Sequence, residues 1–131
     1  MFETPAPSPT PSTLLRIACI NVNKSYDSQV DFLQRMDPKK WDILCIQEPG
    51  FDFRDTTRST QKWTVVYPRG HNNKIKRTRA IMMVNRELPT TSWKALPIES
   101  VDVAAVQMIG ASGAIRIFSV YNSQENDASM N

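Results

Sequence analysis

Two apolar runs, "LLRIACINV" at 14–22 and "WDILCIQEP" at 41–49, flank one amphipathic segment, and this arrangement restricts the fold more than any other feature of the chain. Each run has the length and composition of a buried strand and is short for a buried helix. Between them Tyr26, Val30 and Leu33 recur at i, i+4 and i+7 with Met36 following, which predicts a helix with one apolar face. Ser28 with Asp31 resembles a capping box at its start. The Asp37-Pro38 step ends it, because a residue before proline is pushed out of the α region. Strand, helix and strand in this order form a βαβ unit with a right-handed crossover. The two strands then run parallel and bring their C-terminal ends to one edge of the sheet, where α/β sheets bind ligands.

Both runs end abruptly in polar side chains. Asn21 and Asn23 close the first, and side chains two apart on a strand share a face. Amides there suit contacts to phosphate or bound water, although Asn at a strand end also serves turns. Glu48 closes the second run beside Gln47. A carboxylate so placed can hold a hard cation such as Mg²⁺, which takes one or two carboxylates and keeps several waters, or it can simply cap a strand at the solvent edge.

Downstream lie further short strand-like runs, "KWTVVYP", "RAIMMVN", "SWKALPI", "VAAVQMI" and "AIRIFSVYN", with a Gly-rich "GASG" hairpin connection between the last two. A βαβ start followed by antiparallel strands predicts an α/β fold with a mixed, largely antiparallel sheet and helices on an outer face. The segment 67–80 carries Arg69, Lys74, Lys76, Arg77 and Arg79 without an acidic residue, a composition that neutralises phosphates or merely solvates a loop. His71, the single histidine, reads as part of that loop. Tyr121 and Asn122 again end an apolar strand in a hydroxyl and an amide.

The chain of 131 residues fits one domain, with 40% apolar and 22% charged residues. Its formal charge of +3 permits a polyanionic partner without demanding one. Cys19 and Cys45 both lie in apolar runs and imply no disulfide scaffold. Residues 1–13 form a Pro/Ser/Thr-rich leader with Pro at every second position from Pro5 to Pro11, expected as disordered chain, and 125–131 a polar end. No stretch is long and apolar enough to cross a bilayer, and the N-terminus lacks the pattern of a secretory signal, so an intracellular protein without a membrane partner is expected.

"LRIACINVNKS", "WDILCIQEP", "RTRAIMMVNREL" with "SWKALPI", and "IRIFSVYNSQ" occur in the order found in the endonuclease/exonuclease/phosphatase superfamily. The resemblance is nearest to the apurinic-type endonuclease domain of fungal non-LTR retrotransposons, and it covers 14–124. It implies part of an α/β/β/α sandwich that cleaves DNA phosphodiesters with Mg²⁺ (or Mn²⁺), in the nucleus for a retroelement enzyme. On that pattern Glu48 matches the metal-binding Glu, Asn21 the Asn that organises the active site, and Tyr121 the tyrosine that approaches the scissile phosphate. Asn23 falls where the superfamily often has a metal-binding Asp.

The family continues past this point to an Asp-x-Asn segment and an Asp-His pair supplying the base, and neither follows Tyr121 here. The expectation is therefore a truncated endonuclease, impaired or inactive alone. Its uncovered sheet face would be open to self-association. The other readings are a nucleic-acid-binding remnant without catalysis, relying on Arg69, Lys74, Lys76, Arg77 and Arg79, and a phosphatase of the same superfamily.

Overall fold

The computed structural model describes residues 15–51, 60–72, 78–111 and 113–122. The leader 1–13, the end 125–131 and the basic residues Lys74, Lys76 and Arg77 lie outside them. Strand β1 (Ile17–Asn21), helix α1 (Tyr26–Arg35) and strand β2 (Ile43–Gln47) form the expected unit, with β1 and β2 parallel and in register from Ile17 opposite Ile43 to Asn21 opposite Gln47. Strands β3 (Trp63–Val66) and β4 (Ala80–Asn85) complete a four-stranded mixed sheet of order β1-β2-β4-β3. Strands β5 (Trp93–Ala95), β6 (Val103–Gly110) and β7 (Gly113–Val120) form a second, antiparallel sheet.

Helix α1 starts three residues before the Ser28/Asp31 capping box. Ser25 is the N-cap, and its hydroxyl accepts from the Ser28 amide at 3.1 Å. The reason lies just upstream, where Asn23 and Lys24 both adopt left-handed backbone (φ 52° and 65°), turn the chain out of β1 and leave the extended cap conformation to Ser25. The buried stripe is also rotated from the expected one. Gln29, Phe32 and Leu33 face the sheet, while Val30 is 36% exposed. Gln29 takes the inward position because it has partners there: its side chain donates to the Gly50 carbonyl (3.1 Å) and accepts from the Gly50 amide (2.9 Å). A buried amide so satisfied avoids the cost of an unpaired polar group.

Three layers result. On the helix side of the first sheet, Leu44, Ile46, Ile81 and Met83 pack with Trp63 and with Phe32 and Leu33 of α1. On its other side, Ile43, Cys45, Met82 and Val84 pack against Ala104 and Val106 of the second sheet. Covering on both faces explains why β2 and β4 read as unbroken apolar runs, since neither face of such a strand meets water. Each fully buried Ile, Leu or Met contributes about 2 kcal/mol.

The α/β class and the partial sandwich are as expected, with a helix on one outer face. One expectation is corrected: the chain does not hold a single sheet with a bare apolar face. Strands β5–β7 supply part of a second sheet and cover that face over β2 and β4. Short strand-like runs in a sequence do not say which of two sheets each will join.

Candidate active site at the shared edge of the two sheets

Parallel and antiparallel pairing together bring five chain segments to one rim. The C-terminal ends of β1, β2 and β7 meet the N-terminal ends of β4 and β6 there. Gln47 ties the two sheets at this edge, its amide donating to the Val120 carbonyl at 2.7 Å.

Glu48 occupies the centre of the rim. Its backbone is left-handed, φ 49°, an uncommon and strained conformation for a residue with a side chain. Three contacts hold it there. The Glu48 amide donates to the Arg79 carbonyl (3.0 Å), its carbonyl accepts from the Lys24 amide (2.7 Å), and its Oε2 accepts from Asn21 Nδ2 (3.0 Å). The sharp turn continues into buried Pro49 and Gly50, locked from behind by Gln29. Among the described residues the left-handed positions outside glycine are Asn23, Lys24 and Glu48, so backbone strain gathers at this rim.

Asn21 is held at both ends of its amide. Nδ2 donates to Glu48, and Oδ1 accepts from the Asn23 amide at 2.8 Å. The expectation that Asn23 shares a strand face with Asn21 is corrected here. Strand β1 ends at Asn21, and Asn23 is an exposed turn residue whose backbone, held by Asn21, completes an Asx-type turn.

Tyr121 follows β7, its amide donating to the Asp102 carbonyl at 2.8 Å. The Arg79 guanidinium lies over its ring, 4.9 Å from the centroid. Arg79 in turn forks onto Asp102, Nε to Oδ1 at 2.7 Å and Nη2 to Oδ2 at 2.9 Å, both side chains about three-quarters covered. Arg79, expected as a nucleic-acid contact, is thus committed to fixing Tyr121 and the start of β6. Arg69 is exposed and pairs with Glu99 at 3.3 Å, an ion pair that bulk water screens. The structure brings Asn21, Glu48, Arg79 and Tyr121 to one rim and leaves Arg69 on the segment before it.

Sequence reasoning missed Asp102 and the packing of His71. The His71 ring stacks on Tyr67 with centroids 4.0 Å apart, and Nδ1 lies 2.7 Å from the hydroxyl of buried Thr78. That joins the segment 69–72 to the residue preceding Arg79. Asp102 carried a legible signal, a carboxylate directly before an apolar run, but its use depends on β6 entering the sheet where β7 leaves it. A groove of about 350 Å³ lies along α1, lined by Tyr26, Gln29, Val30 and Leu33 and by 60–62. Apart from Lys62 it offers no charged group, and it is not at the rim.

The donor set can be tested against a hard divalent cation. Among the described residues no three His, Cys, Asp or Glu side chains are grouped to hold an ion. The rim offers one carboxylate, Glu48, with an amide oxygen beside it. That meets the needs of Mg²⁺ or Mn²⁺, which accept one carboxylate with waters and substrate oxygens, and would not suit a tightly caged structural metal. Comparison with protein-family models, with curated proteins and with solved structures finds no match to this chain.

Proposed function

We propose that the rim is a phosphoester site and the chain part of a metal-dependent DNA endonuclease of the retrotransposon type, within the endonuclease/exonuclease/phosphatase superfamily. The Asn21–Glu48 contact carries this reading: a strained glutamate at a sheet edge, its carboxylate oriented by a neighbouring amide, is built for a ligand more than for stability. Glu48 would hold Mg²⁺ (or Mn²⁺), with Asn21 aligning the carboxylate. A divalent ion bound there polarises a phosphoester and stabilises the leaving oxygen. Tyr121, backed by the Arg79 cation, presents its hydroxyl toward the phosphate. Arg69, with Lys74, Lys76 and Arg77, would neutralise flanking phosphates of DNA. Asn23 contributes through the turn that steadies Asn21.

Among the described rim residues none is placed to accept a proton from attacking water, so turnover by this chain alone is expected to be weak. Self-association would use the outer face of the second sheet, where Ile109, Phe118 and Val120 are about half exposed. No helix among the described residues is long and apolar enough to cross a membrane. A nuclear location follows from the retroelement reading.

Nicking of supercoiled plasmid tests the proposal. Slow, Mg²⁺-dependent nicking that vanishes in Glu48→Ala is the expected result. DNA binding that falls with salt but ignores both chelator and Glu48→Ala would instead identify a binding remnant. Phosphate release from a small phosphoester without nicking would identify a phosphatase.

A further inference from the structure

The two sheets are out of step by one strand. Ile17 and Cys19 of β1 stand in register with Ile43 and Cys45 and so face the second sheet, yet Ile17 is 37% exposed and Cys19 is exposed. Strand β7 lies over β2, as the Gln47–Val120 bond and the packing of Ile117 with Ile43 and Cys45 show. Nothing among the described strands lies over β1. The result is a step one strand wide, with β1 as its floor and the free edge of β7 as its wall.

That edge is ready for pairing. Tyr121 N–H bonds the Asp102 carbonyl in continuation of the register that sets Val120 opposite Val103. In an antiparallel ladder bonding alternates, so odd-numbered residues of β7 bond to β6 while Ala114, Arg116 and Phe118 turn their backbone groups outward. Over its eight residues β7 has no proline and one charge, so it lacks the usual protection of an edge. A second copy pairing β7 to β7 across a two-fold axis is excluded by the step: the β1 of one copy and the β2 of the other would need the same space.

We propose that residues 4–12 of the leader fill this step as the outermost strand of the second sheet, antiparallel to β7. Pro5, Pro7, Pro9 and Pro11 occupy alternate positions. On an edge strand alternate residues bond inward and the others face solvent, and proline is tolerated where its missing N–H faces solvent. Ala6, Ser8 and Thr10 then keep their N–H groups for β7, and the prolines close the edge against further pairing.

The faces agree independently. Outward-bonding residues of β7 carry outer-face side chains, such as exposed Phe118, and directly paired residues share a face. Ala6, Ser8 and Thr10 therefore lie on the outer face, and the proline rings fall inward onto Ile17 and Cys19. The chain direction agrees as well. Strand β1 starts at the end far from the rim, and Leu15 packs against the inter-sheet cluster. A segment leading into it must run away from the rim, opposite to β7. Residues 12–14 cross the roughly 10 Å between sheets, within reach of three extended residues.

The test uses the full chain with one added cysteine and dibromobimane, which joins thiols only a few ångströms apart. Pro9→Cys is expected to link to Cys19 within one chain, as seen by peptide mapping, and Ser8→Cys to fail to do so. Equal linking from both positions, no linking from Pro9→Cys, or a link between two chains would overturn the proposal. Amide exchange gives a second reading that needs no cross-link. In the triple variant Ala6→Pro, Ser8→Pro, Thr10→Pro, the Arg116 and Phe118 amides are expected to exchange at least about tenfold faster. Unchanged rates at both amides would contradict it.

Discussion

The side-chain amide of Asn21 donates to the carboxylate of Glu48 across 3.0 Å, joining the ends of two parallel strands whose sequences are 27 positions apart. The contact exists because a βαβ crossover sets both strand ends on one edge. It orients a carboxylate whose own backbone is strained, and each consequence of that trade can be measured.

Replacing Glu48 with glycine removes the side-chain penalty of a left-handed backbone, about 1 kcal/mol, since glycine adopts this region freely. Glu48→Gly is therefore expected to unfold at equal or higher denaturant concentration than the wild type while losing divalent-cation binding. Urea titration followed by circular dichroism checks the first half.

Gly50 has no room for a side chain. A Cβ there would lie 2.5 Å from both the Cα and the N of Tyr26, backbone atoms that cannot yield without moving the start of α1. Gly50→Ala is expected to cost more than about 2 kcal/mol and to weaken the Gln29 lock behind Glu48. Thermal unfolding reads the stability loss.

Arg79 and Asp102 act as a unit. Arg79→Ala or Asp102→Ala alone strands a partly buried charge and is expected to cost about 2 kcal/mol. The double variant is expected to cost clearly less than the sum, with coupling on the order of 1 kcal/mol. A double-mutant cycle in urea decides this, and strict additivity would count against the pairing.

The Asp42–Arg16 pair sets a pH window. Burial raises the Asp42 pKa, but hydrogen bonds from the Arg16 side chain and backbone, together with its charge, outweigh that and leave the carboxyl below its ordinary value. A lowered folded-state pKa contributes stability above the unfolded value, about 3.9, which is lost as pH falls through the folded value. Asp42→Asn is expected to be about 1 to 2 kcal/mol less stable than wild type at pH 7, with the gap closing below about pH 4. Urea unfolding at pH 7 and pH 3 measures the difference.

What could be read in advance followed from periodicity and topology. The runs ending at Asn21 and Glu48, with the helix between them, fix the parallel pair and hence the meeting of those two side chains. The run ending at Tyr121 marked a third strand end, and its arrival at the same rim needed the second sheet to be known. Asn23 was misplaced because strand alternation was extended past the point where two left-handed residues break it. Asp102 stayed hidden because its partner Arg79 lies in a different sheet, and pairing between sheets leaves no periodic trace. Ser25 was passed over as the cap because capping follows the backbone turn at Asn23 and Lys24, which residue type alone does not reveal.

Titration of the purified chain with Mn²⁺ by calorimetry tests the central claim most directly. Wild type is expected to bind the ion, Asn21→Ala to bind about tenfold more weakly through loss of the aligning bond, and Glu48→Ala to bind weaker still, all with unchanged circular dichroism. Equal Mn²⁺ affinity in wild type and Glu48→Ala, or no binding by the wild type, would contradict the account.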